Sequence, residues 1–192
     1  DKQYRLDFGS GAIIASRSRY LTLLHGNVAA FRFDGTNWQP LVLCLDTIWV
    51  DGGDFEIYGE TTNPTKGTNT RNQLWRRVGD SCEQFNTYTQ TATGTSGTGP
   101  YLFPTVFTVR TGQPVNTNGS VHYTGNSAIG YGGCAWNGTQ YGDVVAHLYS
   151  TTRFRASIIN DEFRGWFGSG HSPLSFASVV FGIRIRYPVQ DW

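Results

Sequence analysis

Hydrophobic and polar residues alternate with a period of two over the C-terminal part of this chain. Four apolar residues of segment 179–187 fall on one face, namely Phe181, Ile183, Ile185 and Tyr187. Two arginines, Arg184 and Arg186, fall on the other. Because successive side chains of a strand point to opposite faces, this segment is predicted to be a half-buried β-strand.

The same alternation recurs in two other segments. Residues 153–159 place three apolar residues inward, Phe154, Ala156 and Ile158, with Arg153 and Arg155 outward. Residues 31–33, Phe-Arg-Phe, form a shorter example. Both segments are predicted to be strands.

Tight turns are marked by Asp-Gly and Asn-Gly dipeptides, which supply the positive φ values that short hairpins need. Asp-Gly-Thr-Asn separates Phe33 from Trp38, and Asn-Gly-Thr-Gln separates Trp136 from Tyr141. Each pair of flanking segments is therefore predicted to form an antiparallel hairpin. A third turn, 51–54, separates the predicted strands 41–50 and 55–58.

Short strands recur along the rest of the chain. Further predicted strands are 12–15, 20–24, 74–78, 101–110, 122–124 and 144–149. Long loops are predicted at 61–72, 91–100 and 111–120, and one short helical turn at 161–167. The pattern favours an all-β fold, an antiparallel β-sandwich or barrel-like module with long loops.

Composition agrees with one domain over residues 1–192. Charged residues make up 15% of the chain, aromatic residues also 15%, and glycines number 24. No apolar run approaches the length of a transmembrane helix, so membrane insertion is not expected. The chain contains no Met, not even at position 1, which suggests a piece of a longer protein.

The net charge of +1 is too small to predict a nucleic-acid partner. The basic residues are nevertheless uneven, with 13 Arg against 2 Lys. Arginine pairs with planar anions and stacks on rings, although ordinary solvated strand faces explain the same count.

Three cysteines, Cys44, Cys82 and Cys134, show no metal-binding spacing. Free thiols are expected, and one disulfide with one remaining thiol is the alternative. The four histidines also lack metal-ligand spacing, and no glycine-rich phosphate loop is present, so neither a metal nor a cofactor is predicted. His147, within an apolar strand, is interpreted as a structural residue.

Two weak patterns point to catalysis. His25, Asp54 and Ser81 follow the chain order of a chymotrypsin-type protease, but the separation of His25 and Ser81 leaves too little chain for that fold. Asp54 and Glu56 share a predicted strand face, as the carboxyl pair of a glycosidase does, and surface carboxylates explain them as well. No catalytic residue is therefore predicted.

Aromatic residues beside turns suggest binding, because flat rings near amide and acidic groups suit a sugar or a protein partner. The candidate receptor- or glycan-binding residues are Trp136, Asn137, Tyr141 and Trp38. Core filling is the alternative for each ring. Phe163, Trp166 and Phe167 are the candidates for a contact surface, as a homodimer seam or a ligand site.

In its Thr-, Asn- and Gly-rich loops on a strand scaffold, its few Lys and Glu, and its free cysteines, the chain resembles the capsid spike domain of avian astroviruses. The resemblance implies an all-β homodimer that projects from the virion, attaches to a host-cell receptor and is recognised by neutralising antibodies. It implies capsid assembly in the host cytoplasm, which would leave the sequons at Asn118 and Asn137 unused.

Two other functions stay open. One is a carbohydrate-binding, lectin-like module of another virus, a phage or a secreted protein. The other is a hydrolase that uses His25, Asp54 or Ser81.

Overall fold

The computed structural model describes residues 4–7, 20–24, 27–33, 38–115, 128–160, 164–168 and 173–190. The strands in these ranges are β1 Tyr4–Asp7, β2 Tyr20–Leu23, β3 Val28–Phe33, β4 Trp38–Cys44, β5 Val50–Asp51, β6 Tyr58–Gly59, β7 Asn69–Val78, β8 Ser81–Gln90, β9 Tyr101–Pro104, β10 Ala128–Trp136, β11 Gln140–Ser150, β12 Arg153–Ile159, β13 Arg164–Trp166 and β14 Val179–Pro188. A 3-10 helix spans Pro173–Ser175, and the described ranges contain no α-helix. The predicted all-β, barrel-like fold is confirmed.

Ten of the strands form one antiparallel sheet that curls into a half-barrel. The strand order is β5-β7-β8-β14-β10-β11-β12-β9-β6, and β13 also pairs with β12. The last strand, β14, lies between β8 and β10, so it joins the β7–β8 hairpin to the β10–β11 hairpin. Two separate two-stranded sheets, β1–β2 and β3–β4, precede this sheet in the chain.

The inner face of the curled sheet holds the main hydrophobic core. All four apolar residues predicted for the inner face of β14, Phe181, Ile183, Ile185 and Tyr187, are at most 2% exposed. Arg184 and Arg186 are exposed on the other face, as predicted. Burying each large apolar side chain contributes about 1.5–3 kcal/mol, so the alternation of β14 is a major source of stability.

Strand β12 differs from its prediction on one face. Phe154, Ala156 and Ile158 are buried as expected, but Arg155 is also buried. Its guanidinium carbon lies 3.8 Å from the centroid of the Trp166 ring, which covers this part of the sheet. The expectation that Arg155 points outward into solvent is therefore wrong, because β13 pairs with β12 and places a ring over that face.

The short helical turn predicted at 161–167 is also wrong for residues 164–167, whereas residues 161–163 lie outside the described part of the chain. Residues 164–166 form strand β13, with Ser157 opposite Trp166 and Ile159 opposite Arg164. Pairing with the open edge of β12 satisfies backbone groups that a single helical turn would leave without partners. Sequence periodicity cannot show that such an edge is nearby.

Both predicted hairpins are present. Phe33 pairs with Trp38 in the β3–β4 hairpin, and Trp136 pairs with Gln140 in the β10–β11 hairpin. In the second hairpin Asn137 has a φ of 55° and Gly138 a φ of 71°. The Asn-Gly dipeptide thus supplies the left-handed conformation from which the turn was predicted.

Other predicted boundaries need correction. The predicted strand 41–50 is divided between β4 and β5, segment 55–58 contributes only the start of β6, and segment 101–110 ends as a strand at Pro104. The last residues of the predicted loop 61–72 belong instead to β7, which begins at Asn69. Segments 12–15 and 122–124 lie outside the described residues.

The two long loops around residues 61–68 and 91–99 are hydrogen-bonded to each other. Thr62 bridges to Thr98 and Thr65 to Thr95. The hydroxyl oxygens are 2.5 Å apart in the first pair and 2.7 Å apart in the second. These contacts give polar groups of both loops hydrogen-bond partners.

Strand β8, which periodicity did not predict, buries polar side chains. Gln84, Asn86 and Gln90 lie on its inner face and are at most 1% exposed. Because hydrogen-bonded amides occupy positions where apolar residues were expected, the strand lacks the alternation by which strands are recognised. Gln84 and Gln90 hydrogen-bond within the core, and Asn86 accepts through its Oδ1, although its Nδ2 has no hydrogen-bond partner.

The segment after β4 is attached to the large sheet at Arg77. The backbone N–H of Arg77 donates to Oγ1 of Thr47 over 2.9 Å, and the N–H of Thr47 donates to the carbonyl of Arg77 over 3.0 Å. The Arg77 guanidinium donates to the carbonyl of Gly79 over 2.9 Å, and burial lowers the pKa of Arg77 to about 10.

No helix within the described ranges is both long enough and apolar enough to cross a membrane.

Candidate functional site

The β10–β11 hairpin separates two of the predicted binding residues. Trp136 is 2% exposed and belongs to the core, whereas Tyr141 is 67% exposed. Trp136 pairs with Gln140, so Tyr141, one residue further, points to the opposite face. The Trp136 ring is therefore not available to a ligand, which corrects the expectation that both rings form one site.

Asn137 is exposed at the tip of this hairpin. Its backbone N–H donates to the carbonyl of Ser178 over 2.8 Å, which fixes the turn against the start of β14. The amide side chain remains a candidate contact. Asn118, the other predicted sequon, lies outside the described residues.

Trp38 lies on the separate β3–β4 sheet. Its ring is 38% exposed, and the ring centroid lies 5.2 Å from that of Phe33. Val28 and Leu41 of the same sheet are also exposed. Trp38 thus belongs to an apolar surface of its own, and no described contact connects it with Tyr141.

The predicted contact surface at 163–167 is mostly interior. Trp166 is 5% exposed, and Phe167 is fully buried. The N–H of Phe167 donates to the carbonyl of Ala156 over 2.9 Å, and its ring centroid lies 5.3 Å from that of Phe181. Pairing with β12 buries both rings, Trp166 over Arg155 on one face and Phe167 in the main core on the other, so the expectation for Trp166 and Phe167 is corrected. Phe163 lies outside the described residues.

Asp54 and Glu56, the carboxyl pair considered for catalysis, both face Arg71. Arg71 lies 3.6 Å from Asp54, and Glu56 forms ion pairs with both Arg71 and Lys66. The hydrogen bond from Lys66, supported by Arg71, lowers the pKa of Glu56. A glycosidase acid needs a raised pKa, so this arrangement fits the alternative of surface ion pairs.

The other candidate chemistries find little support among the described residues. His147 is buried, and its Nε2 lies 3.3 Å from Oγ of Ser157, as expected for a structural histidine. All three cysteines are free, as predicted. The described ranges contain no cluster of three His, Cys, Asp or Glu residues arranged to hold a metal, and His25 lies outside them.

An open depression lies on the face of β8, β14, β10 and β11 that points away from the core, which we call the outer face. It has a volume of about 530 Å³ and is open to solvent; we call it the outer groove. Its lining residues are Gly133, Cys134, Ala135, Tyr141, Gly142, Asp143, Ile159, Asn160, Val180, Phe181 and Gly182. It lies within the range of about 300–1,000 Å³ that is typical of small-ligand sites.

The groove exists because glycines on neighbouring strands have no side chains to fill it. Gly133 on β10 lies directly opposite Gly182 on β14 and, on its other side, opposite Asp143 on β11. A Cβ added to Gly133 would have no atom within 4 Å. The groove floor is therefore backbone from three neighbouring strands, bordered by the side chains of Tyr141, Asp143 and Val180.

Tyr131 separates the groove from a second depression on the same face. Tyr131 is 67% exposed and pairs with Arg184, one row away from the two glycines. The second depression, of about 460 Å³, is lined by Glu83, Ala128, Ile129, Gly130, Tyr131, Arg184, Ile185 and Arg186. Together the two depressions follow the β10–β14 pair.

At the second depression, Glu83 forms ion pairs with two arginine side chains. Arg76 and Arg184 each donate to this carboxylate over 2.5 Å. Burial raises the pKa of Glu83, but the hydrogen bonds from the two arginines outweigh that effect and keep the pKa below its ordinary value. The ring of Trp49 lies 5.0 Å from the Arg76 guanidinium and 5.7 Å from that of Arg184.

Comparison with protein-family models, with curated proteins and with solved structures finds no match for this chain.

Of the residues that line these depressions, the sequence singled out Tyr141 as a candidate, placed Tyr131 only among the rings beside turns, and did not indicate Gly133, Asp143 or Gly182. Residues 130–133, Gly-Tyr-Gly-Gly, carry the signal, since glycines inside a strand often mark a place where a ligand or another backbone approaches closely. The opposing Gly182 is separated from them by about fifty residues of chain, and only strand pairing brings it to the same floor.

Proposed function

We propose that this chain is a non-enzymatic attachment module that binds a host cell-surface receptor with its outer groove. One observation carries the proposal: an open depression floored by Gly133 and Gly182, with the exposed ring of Tyr141 at its border. Exposed tyrosine on a rigid scaffold provides a large contact area at a small cost in conformational entropy.

The scaffold supports this role. Strand β14 pairs with β8 over ten residues and with β10 over seven, so the groove floor is anchored on both sides. When a receptor docks on such a preformed face, little conformational entropy is lost in ordering the face. The ion-paired state of Asp54 and Glu56 gives no comparable support to a hydrolase.

The resemblance to avian astrovirus spikes supports the same function and suggests the biological setting. In that setting the module projects from the virion surface, its capsid assembles in the host cytoplasm, and its exposed loops are targets of neutralising antibodies. A homodimer would raise a weak single-site affinity through multivalency. Its seam would lie elsewhere than Trp166 and Phe167, which are buried.

Cell binding tests the proposal. Fluorescently labelled chain is incubated with cultured avian and mammalian cells, with unlabelled chain as competitor. We expect saturable, competable binding that is lost in Tyr141→Ala and in Gly133→Trp, where an indole fills the groove. Val115→Ala, an exposed residue of a separate loop, is the control and should bind like the wild type.

Three results would oppose the proposal. Absence of binding to every cell type would contradict attachment by this chain. Binding that survives Gly133→Trp would exclude the outer groove as the site. Loss of binding in Trp38→Ala, with Tyr141→Ala unaffected, would move the site to the β3–β4 sheet.

Sedimentation velocity over a range of concentrations tests whether the chain forms a homodimer. A chain that stays monomeric at high concentration would contradict the dimer.

A second candidate function is a carbohydrate-binding module of another virus, a phage or a secreted protein. Asp143 and Asn160, which line the groove with Tyr141, favour it, because an acid and an amide beside a ring suit sugar hydroxyls. Binding to isolated microbial or plant polysaccharides, without binding to host cells, would favour this function over receptor attachment.

A further inference from the structure

The outer groove and the second depression form one elongated surface. Both are lined by β10 and β14, with Tyr131 at their boundary. On β14 the lining runs from Val180 at one end to Arg186 at the other. These seven residues are separated by six steps of about 3.3 Å, or about 20 Å in all, which suits an extended, narrow ligand better than a compact one.

The two ends of this surface differ in chemistry. At the Val180 end, Asp143 and Asn160 offer a carboxylate and an amide to hydroxyl groups. At the other end, Arg184 and Arg186 offer guanidinium groups. A ligand that follows the surface would therefore place neutral hydroxyls at one end and a negative charge at the other.

The arginine end has an excess of positive charge. Glu83 is shared by Arg76 and Arg184, so one negative charge faces two positive ones. Arg186 is exposed and makes no ion pair with any described residue. Charge complementarity thus favours an anionic ligand, and the guanidinium group presents a planar pair of donors to a carboxylate or sulfate.

The rings on this surface favour a sugar as the carrier of that charge. Tyr131 and Tyr141 are each 67% exposed. The C–H face of a pyranose ring packs on such a ring while its hydroxyls bind polar neighbours. The glycine floor between the tyrosines leaves a channel for a narrow chain, which a folded protein surface would fill poorly.

We propose that the outer face binds an anionic glycan, with a sugar ring against Tyr131, its carboxylate or sulfate at Arg186 and Arg184, and the following sugar in the outer groove beside Asp143. The inference rests on the proposed attachment function and gives the chemical class of its receptor. An acidic protein segment is the competing occupant.

Calorimetric titration of the full chain tests the proposal. The probes are a sialylated trisaccharide, a sulfated trisaccharide on the same core, the neutral core and a peptide rich in Asp and Glu. We expect at least one acidic glycan to bind about tenfold or more tightly than the neutral core, and its affinity to fall with added salt. The two acidic probes distinguish a carboxylate from a sulfate.

Substitutions of single residues test which side chains contact the glycan. Arg186→Ala should weaken acidic-glycan binding about tenfold or more, because a hydrogen-bonded charge pair is lost. Arg32→Ala, an exposed arginine on β3, is the matched control and should change nothing. Tyr131→Ala should weaken binding of the acidic and neutral glycans alike. Circular dichroism confirms that each variant is folded.

Equal binding of acidic and neutral glycans, unchanged affinity in Arg186→Ala, or binding of the acidic peptide alone would overturn the inference. The same cell assay separates this failure from failure of the proposed function. If cells bind the chain through the outer groove but none of the glycans binds, the receptor is of another class. If cells do not bind either, the attachment function itself fails.

Discussion

Gly132 on β10 lies so close to Gly182 on β14 that a Cβ on Gly132 would be 1.9 Å from the Gly182 carbonyl oxygen. The next residue, Gly133, points to the outer face and has no atom within 4 Å of an added Cβ. Two adjacent glycines therefore serve different purposes. Gly132 permits the close approach of two central strands, and Gly133 opens the groove.

Alanine substitutions should separate these purposes. We expect Gly132→Ala to lower the free energy of unfolding by about 2–4 kcal/mol, because backbone atoms would have to move. Gly133→Ala should change it by less than about 1 kcal/mol. Urea denaturation of both variants provides the measurement. Equal destabilisation by the two substitutions would contradict the strand geometry.

The side-chain amide of Gln84 is the centre of a buried network. Its Nε2 donates to Oδ1 of Asn86 over 2.8 Å and to the carbonyl of Pro104 over 2.9 Å. Its Oε1 accepts from the backbone N–H of Val106 and from the Tyr187 hydroxyl, each over 2.9 Å. A single side chain thus connects β8, β14 and the segment after β9.

Gln84→Leu should destabilise the fold by about 3–5 kcal/mol, because the Val106 N–H and the Tyr187 hydroxyl would lose a partner inside the core. Thr89→Val, an exposed position on the same strand, is the control. It should change the free energy of unfolding by less than about 0.5 kcal/mol. A Gln84→Leu protein as stable as the wild type would show that the network does not contribute to stability.

His147 should make the fold sensitive to weak acid. Burial lowers the pKa of His147, and the nearby charge of Arg155 lowers it further. The unfolded chain, with a histidine pKa of about 6.5, therefore binds more protons than the folded chain below that pH. The free energy of unfolding should fall as the pH drops below about 6.5, by up to about 1.4 kcal/mol per unit.

The difference between wild type and His147→Gln isolates this effect. Denaturation at pH 7.5, 6.5, 5.5 and 5.0 should show a smaller loss of stability in the variant, since glutamine does not titrate. The carboxylates of Glu56 and Glu83, whose pKa values are lowered, contribute mainly below this range. Parallel curves for the two proteins would show that His147 is not protonated more readily on unfolding.

Thiol labelling should distinguish the three cysteines. Cys44 is exposed, whereas burial raises the pKa of Cys82 to about 12 and that of Cys134 to about 12. Because the thiolate is the reactive form, iodoacetamide at pH 8 should modify Cys44 in the native chain and all three cysteines after unfolding. Mass spectrometry gives the count, and Cys44→Ser should abolish native labelling. Rapid native labelling of Cys82 or Cys134 would contradict their burial.

Some elements were predictable because their signals are local. The alternation of β14 and the Asn-Gly turn between β10 and β11 each depend on residues within a few positions of one another. Strand β8 was missed because its inner face carries amides that are satisfied only by distant partners such as Tyr187. Strand β13 was missed because its strand character depends on the free edge of β12.

By itself, the sequence determined the all-β class, the inward face of β14 and the positions of two hairpin turns, since periodicity and turn chemistry act over short distances. Only the tertiary structure decided which rings are accessible, burying Trp136 and Phe167 and leaving Tyr131 and Tyr141 exposed. The outer groove arose in the same way, because Gly133 and Gly182 become neighbours only when β14 pairs with β10. Such long-range pairing is set by the packing of the whole sheet, which no local pattern contains.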